Sequence, residues 1–232
     1  MNTPSHFLMT AALRKALPWL TMSRSAVLLG SMAPDIPLYL LSFGGLFYFY
    51  SVEGLSLEAS ARHIYGTLYF EDRGWIACHN LLHSPLSLAL GFVGVCWVRG
   101  WNFRPPSLTP PQNDHVSTAG PSMGTPFGAS PLADWLYWFL LACGLHSFVD
   151  VLTHYDDGPL LFWPLNWSLR FASPVSYWDP AHYGSVFAPF ELALVIGLTG
   201  YLMLPWLRGW IVNRGRARSE SLAEEIAFEP ED

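Results

Sequence analysis

The chain has 232 residues, of which 51% are hydrophobic and only 13% are charged, and its formal net charge is −6. So low a charged fraction is unusual for a water-soluble domain and typical of a protein with several membrane helices. The basic segment RGRAR at 214–218 is short and directly follows an apolar run. An extended basic surface is therefore excluded, and we expect no nucleic-acid partner.

The N-terminal quarter predicts short, interrupted helices. Residues 5–17, SHFLMTAALRKAL, predict a short first helix that ends before Pro18. The apolar segment 26–50 contains the sequence PDIP, whose two prolines interrupt a helix. Residues 54–77 are polar and mixed, and they are expected to connect this region to the next helix with some helical structure of their own.

Three later runs approach the ~20 apolar residues that a bilayer span needs. They cover residues 81–98, 132–152 and 186–207. With 26–50 as a further candidate, the sequence predicts an all-α integral membrane helical bundle of three to four spans with a short N-terminal helix. Such a multi-pass protein has membrane lipids as its partners.

Three segments outside these runs have distinct compositions. Residues 104–131 are rich in Pro, Ser, Gly and Thr and predict a disordered loop insert. Residues 155–186 are aromatic and proline-rich and predict an ordered loop folded over another part of the protein. Residues 214–232 end in a run of acidic residues that predicts a mobile tail, so that 1–213 forms a single membrane-embedded domain.

The placement of basic residues predicts the topology. Arg99 follows the run at 81–98, and a basic cluster follows the last run, which places both of these ends in the cytoplasm. The opposite ends of the helices then share one membrane face. The same rule favours cytoplasmic positions for Arg14, Lys15 and Arg24 and hence four spans, whereas the chemistry of the histidines favours a re-entrant N-terminal region; the sequence leaves both open.

Metal-capable side chains recur at steps of four residues at that shared face. HNLLH contains His79 and His83, and HSFVDVLTH contains His146, Asp150 and His154. On a helix, residues four apart lie on one face. Imidazole and carboxylate groups are ligands for zinc, manganese or iron, and ionisable groups at membrane depth cost about 2.5–3.5 kcal/mol each, which indicates function. A single histidine, such as His63, is more often a core or interface residue.

Two further candidates lie near the N-terminus. His6 is near the start of the first predicted helix, and Asp35 lies in the helix break GSMAPDIP. A carboxylate between two prolines is held on a stiff turn and can face a metal. The alternative, that Asp35 caps the following apolar helix, is equally consistent with the sequence.

The segments TPSH, GSMAPDIP, HNLLHS and GLHSFVDVLTHYDDGPLLFWP, in this order, resemble a bacterial family of inner-membrane metal-dependent hydrolases, which is itself similar to zinc-dependent phospholipase C. The resemblance covers most of residues 1–165, with 104–131 unmatched. It implies a location in the cell inner membrane and a helical fold with a metal centre. The ligands it implies are His6, Asp35, His79, His83, His146 and Asp150, with His154 as a further one. The phospholipase group also uses His-x-x-x-Glu pairs, which this chain lacks, so one or two zinc ions are expected rather than three.

We therefore expect a metal-dependent hydrolase of phosphoester bonds in a lipid or lipid-linked substrate, in which the metal activates water. Asp35 and Asp150 are the expected catalytic carboxylates, as metal bridge or as base. The loop that lies over the site offers further polar groups, one of which can be the general acid: Asp156, Asp157, Asp179 and His182. The alternatives are a structural or regulatory metal site and a metal transporter. A transporter needs ligands along a path, whereas the last apolar run carries Glu191 as its only charge.

Overall fold

The computed structural model describes residues 1–99 and 131–227, which form nine α-helices joined by loops. The all-α membrane fold predicted from the sequence is confirmed. The predicted insert at 104–131 lies outside the described residues except for Pro131, which begins a helix. The helices are α1 (Thr3–Ala16), α2 (Arg24–Gly30), α3 (Ile36–Ser51), α4 (Leu57–His63), α5 (Tyr69–Glu71), α6 (Arg73–Asn80), α7 (Pro85–Val98), α8 (Pro131–Thr153) and α9 (Gly184–Ala227).

Two helices are long and apolar enough to cross a membrane, namely α8 and the first 32 residues of α9. The 23 residues of α8 correspond to a length of about 34 Å. Helices α6 and α7 are long and apolar enough to cross a membrane only as a pair, which is bent by 49° at the break between them. The described residues thus contain two candidate spans, or three if the bent pair counts as one.

The segment 26–50 is not one continuous helix. Helix α2 ends at Gly30, a turn covers residues 31–35, and α3 begins at Ile36 with Pro37 in its first turn. Proline is tolerated there because the first N–H groups of a helix have no intrahelical partner. Asp35 stands directly before α3 but makes no side-chain capping hydrogen bond to it. The capping alternative for Asp35 is therefore not the role that the fold gives this carboxylate.

Helices α1 and α2 form a hairpin, in which α1 packs along α9 and α2 packs along α8. The first turn of α1 contacts Glu191 of α9, and Lys15 near its end contacts the backbone of Tyr201. Along α2, Ser25 accepts a hydrogen bond from Trp135 Nε1 at 3.0 Å, and the carbonyl of Ser31 lies 2.7 Å from Nδ1 of His146. Both helices of the hairpin thus run parallel to their neighbours, so α1 leaves the His146 end of the bundle and α2 returns to it.

This hairpin places its basic residues and its metal-capable residues at opposite ends of the bundle. Arg14, Lys15 and Arg24 lie at its tip, at the end of α8 where Arg99 pairs with Asp134 at 2.6 Å. His6 and Asp35 lie at the opposite end, beside His146. The hairpin brings His6 to the histidine cluster, and residues 26–50 do not form the one continuous helix that a full span there would need.

A lysine completes the packing of α1 against α9. Pro205 lies inside α9 and has no N–H group, so the carbonyl of Tyr201 loses its helical partner. The ammonium group of Lys15 donates a hydrogen bond to that carbonyl and lies 4.2 Å from the centre of the Tyr201 ring. The cation thus satisfies a backbone acceptor that proline leaves free.

Close backbone contact fixes α2 against α8. A Cβ atom at Gly30 would lie 2.4 Å from the carbonyl oxygen of Phe139 and 2.9 Å from Cβ of Ala142. Only glycine permits this approach. It brings the carbonyl of Ser31, one residue later, within hydrogen-bonding distance of His146.

The polar connecting segment and the aromatic loop have the kinds of structure that their compositions predict, whereas the C-terminal boundary differs. Residues 54–77 are partly helical, with Ser56 and Asp72 capping α4 and α6 by accepting hydrogen bonds from backbone N–H groups. Residues 154–183 form an ordered loop with one isolated antiparallel bridge between Leu160 and Arg170. Helix α9 continues to Ala227, so the predicted tail boundary at residue 214 does not coincide with a helix end.

Candidate metal centre

Asp150 lies at the centre of the histidine cluster. Asp150 is 2% exposed and lies one helical turn after His146 on α8. Oδ1 lies 2.9 Å from Nε2 of His6, whereas Oδ2 lies 2.8 Å from Nε2 of His83 and 3.0 Å from Nε2 of His146. One carboxylate therefore joins α1, the break between α6 and α7, and α8.

Asp35 is the second carboxylate of the cluster and comes from the turn before α3. Its Oδ1 lies 3.4 Å from Nε2 of His146, and its Oδ2 accepts a hydrogen bond from the hydroxyl of Thr3. Asp35 thus brings a second carboxylate to the ring of His146 from outside α8.

The hydrogen bonding of His146 determines which of its nitrogens faces the carboxylates. Nδ1 donates to the backbone carbonyl of Ser31 at 2.7 Å, so Nε2 carries the lone pair in the neutral ring. Nε2 is fully buried, lies close to Asp150 and Asp35, and is not aligned for a hydrogen bond with either. A lone pair facing two carboxylates is repulsive, so this position favours a cation, either a metal ion or a proton on Nε2.

The donor set fits a metal ion. Asp35, His83, His146 and Asp150 each offer one ligand atom, and these four atoms lie within 4.8 Å of one another. In a tetrahedral zinc site with bonds of 2.0–2.2 Å, neighbouring ligand atoms are about 3.4 Å apart. The 3.4 Å between Asp35 and His146 matches that value, whereas the distances of 2.8 and 3.0 Å from Asp150 to His83 and His146 are shorter. Two imidazoles with two carboxylates suit zinc and other first-row metals.

His6 and His154 flank this four-residue group. The ring of His6 stacks on that of His146 with centroids 3.7 Å apart. His154 Nε2 lies 3.6 Å from Oδ1 of Asp150, and its Nδ1 lies 3.0 Å from Oδ1 of Asp157. The backbone nitrogen of Met1 is also 2.8 Å from Oδ1 of Asp150. Both histidines thus face the oxygen of Asp150 that the four-residue group does not use.

His79 lies beside the centre but not in the four-residue group. Its ring centroid is 4.6 Å from that of His83, and its Nε2 lies 3.2 Å from the hydroxyl of Tyr69. Burial raises the pKa of Tyr69 well above its usual range, and its hydroxyl donates to the carbonyl of Asp157 at 2.6 Å. His79 Nε2 is therefore the donor in its own contact with Tyr69, which leaves its buried Nδ1 as an acceptor without a partner.

The loop residues divide into two groups. Asp157 accepts hydrogen bonds from His154 and, at 2.8 Å, from Trp178 Nε1. Burial raises the pKa of Asp157, but the hydrogen bond from His154 outweighs burial, so this pKa lies below its usual range. Asp179 lies 2.7 Å from Nδ1 of His182, and this hydrogen bond lowers the pKa of Asp179. His182 also stacks on Tyr155, next to His154. Asp156 is exposed.

Sequence reasoning did not identify the partners of Glu191, a buried carboxylate of α9 that holds the first turn of α1. Glu191, 4% exposed within α9, accepts hydrogen bonds from the backbone N–H and side-chain amide of Asn2, each at 2.8 Å, and from the hydroxyl of Ser5 at 2.6 Å. Ser5 is thus a donor inside α1. The only sign of Glu191 in the sequence is that it is an isolated charge in an apolar run, and this sign does not identify its partners.

Comparisons with known proteins assign a family. The model of the family described as YdjM inner membrane protein matches residues 1–214 of this chain. No curated protein and no solved structure matches. The match supports the inner-membrane part of the resemblance seen in the sequence, whereas its description names neither a hydrolase nor a phospholipase C.

Proposed function

The chain belongs to the YdjM inner membrane protein family, and we propose that it is a metal-dependent hydrolase whose centre is formed by Asp35, His83, His146 and Asp150. The observation that carries this proposal is the unpaired Nε2 of His146, which faces two carboxylates at 3.0 and 3.4 Å. A divalent cation among the four ligand atoms relieves this repulsion. A single proton on Nε2 would serve only one carboxylate at a time.

Zinc is the metal that this donor set fits best, with one ion in the four-residue group. A second ion would use His6 and His154, which face the other oxygen of Asp150. His79 would then act from outside the ligand shell, through its contact with His83. When bound, the metal lowers the pKa of a coordinated water and polarises a phosphoryl oxygen.

The two carboxylates have different roles in this proposal. Histidines surround both oxygens of Asp150, so we assign Asp150 to holding the metal. The Asp35 side chain is 13% exposed against 3% for Asp150. We therefore assign to Asp35 the acceptance of a proton from the attacking water. Among the loop residues we assign the general acid to His182, because Asp179 holds its Nδ1 and its ring stacks on Tyr155, next to His154.

A lipid or lipid-linked phosphoester is the substrate class that the position of the centre supports. The cluster lies at one end of the candidate spans, below a loop that exposes large apolar side chains. Trp167, Phe171 and Trp178 of this loop are each more than 40% exposed. Amphipathic aromatic residues of this kind are typical of the membrane interface, where lipid head groups lie.

A structural metal site is the second candidate, and one observation favours it. His83, His146 and Asp150 are each at most 3% exposed, as expected for a closed four-ligand site. The two functions differ in what Asp35 does. In a structural site Asp35 is only a ligand, whereas in a hydrolase it also works on water.

The experiment combines metal analysis with an activity assay on the detergent-purified protein, prepared without chelators. Wild type, Asp35→Asn and His146→Ala are measured for metal by elemental mass spectrometry and for hydrolysis of bis(p-nitrophenyl) phosphate and of a short-chain phospholipid. We expect one or two ions in the wild type, metal-dependent hydrolysis, and loss of both in His146→Ala. Bound metal without hydrolysis of either phosphoester would establish the structural site instead, and absence of metal would overturn both candidates.

A further inference from the structure

Arg170 is a half-buried cation with no carboxylate partner among the described residues. One of its terminal nitrogens donates to the carbonyl of Gly158. The guanidinium carbon lies 5.4 Å from the ring centre of Tyr69 and 5.3 Å from that of Phe70. A guanidinium group has five N–H donors, and those that do not bond Gly158 or Tyr69 can bind an anion.

The backbone of Arg170 is held in place. Arg170 forms the isolated antiparallel bridge with Leu160, which is fully buried. The N–H of Leu160 donates to the side chain of Asn80 at 2.8 Å, and Asn80 directly follows His79 on α6. The arginine is thus fixed to the helix that carries His79, which reduces the entropy that it loses on binding a ligand.

Arg170 also adjoins the metal centre through its anchor residues. A Cβ atom at Gly158 would lie 3.1 Å from Cβ of His154, so the carbonyl that holds Arg170 belongs to a residue packed on His154. Tyr69, under the guanidinium, contacts both His79 and Asp157 through its hydroxyl. The cation therefore lies at the side of the centre where His79 and His154 meet the loop.

A metal ion held by two carboxylates leaves the centre without the net positive charge that would attract a phosphate group, and Arg170 can supply that charge. Two carboxylates neutralise one divalent metal ion, so a phosphate group meets no net positive charge from the metal and its ligands together. Two other arginines have different partners, since Arg62 pairs with Glu58, and Arg73 is exposed and lies 5.9 Å from the Trp167 ring. The cations of the hairpin tip lie at the far end of the bundle.

We propose that Arg170 binds the phosphate group of the substrate beside the metal centre and so selects anionic phosphoesters. This inference rests on the proposed function and identifies the residue that recognises its substrate class. The planar fork of arginine matches two phosphate oxygens, and hydrogen bonds between charged groups are about twice as strong as neutral ones. The ligand chemistry is a phosphate group, from a lipid head group or from a soluble phosphate.

The test measures phosphate binding directly, by isothermal titration calorimetry of the zinc-loaded, detergent-purified protein. The probes are inorganic phosphate and dihexanoyl phosphatidic acid, and the variants are Arg170→Met, Arg170→Lys and the matched control Arg73→Met. We expect Arg170→Met to weaken binding about ten- to one-hundred-fold, Arg170→Lys to weaken it less, and Arg73→Met to leave it within about two-fold. Weakening for the lipid alone indicates a head group as the source, and weakening for inorganic phosphate alone indicates a soluble one.

The metal content of the same samples distinguishes failure of the Arg170 proposal from failure of the proposed function. Unchanged phosphate affinity in Arg170→Met with full metal occupancy would overturn the role of Arg170 and leave the metal centre intact. A wild type that holds no zinc would overturn the proposed function, and this inference with it. If Arg170→Met fails to fold, Arg170→Lys decides, because unchanged phosphate affinity in the lysine variant would contradict the binding of two phosphate oxygens by the arginine fork.

Discussion

Nε2 of His146 lies 3.0 Å from Oδ2 of Asp150 and forms no hydrogen bond with it, although the two residues are one helical turn apart and both are buried. The ring is turned by its other nitrogen, which donates to the carbonyl of Ser31. A backbone carbonyl commonly fixes a metal-binding histidine in this way, by setting its tautomer and orientation. The relationship between these two residues therefore links the packing of α2 on α8 to the chemistry of the centre.

Replacing His146 by Ala is expected to remove the metal and the stability that the metal confers. Zinc at one hundred times its dissociation constant should stabilise the wild type by about 2.7 kcal/mol, because it binds the folded state. Thermal unfolding in detergent, with zinc and with a chelator, measures this difference, which should vanish in His146→Ala. The control is His63→Ala, since His63 lies on α4 and contacts Phe49 rather than the cluster. An equal zinc response in both variants would contradict the site.

Gly30→Ala is expected to destabilise the protein by about 1–3 kcal/mol, as overpacking typically does. The new Cβ would lie 2.4 Å from the carbonyl oxygen of Phe139, so α2 must move away from α8 and carry the carbonyl of Ser31 with it. Zinc affinity should fall along with the free energy of unfolding. The control is Gly144→Ala on α8, where a Cβ meets nothing within 4 Å. That change should be neutral or stabilising, because alanine is a better helix former than glycine.

Glu191→Gln is expected to loosen α1 and cost about 1–3 kcal/mol of stability. Three donors face the carboxylate, two from Asn2 and one from Ser5, and an amide offers only one oxygen to them. His6 lies directly after Ser5, so its contact with Asp150 should weaken as well. The free energy of unfolding and zinc affinity are both measured. Glu58→Gln serves as the control, because Glu58 is exposed and its pair with Arg62 contributes little.

Lys15→Met is expected to cost about 1 kcal/mol in the wild type and less in a Pro205→Ala background. Alanine at position 205 restores the N–H that the carbonyl of Tyr201 lacks, so the lysine is no longer needed there. A double-mutant cycle on unfolding in SDS mixed micelles measures the coupling. Pro189→Ala provides the control cycle, because Pro189 frees a different carbonyl of α9, and its effect should add to that of Lys15→Met. Additivity in both cycles would show that Lys15 does not act on the Pro205 break.

Much of the fold follows from local pattern. The long apolar runs become α8 and α9, and the prolines of PDIP interrupt the helix, because helix formation and membrane insertion depend mainly on residues close in sequence. The steps of four also place His146 and Asp150 on one face of α8. The position of α1 could not be predicted, since it depends on contacts between residues nearly two hundred positions apart, such as Ser5 with Glu191.

Composition and periodicity are properties of the chain alone, and they were enough to predict an all-α membrane protein with metal-capable side chains at helical spacing. Which of those side chains meet depends on how the helices pack. Asp35 joins the four-residue group and His79 lies beside it. Arg170, which no motif marks, comes to lie near His154. A metal centre or an anion site is defined within a few ångströms, and distances of that order are set by packing between helices rather than by spacing within one.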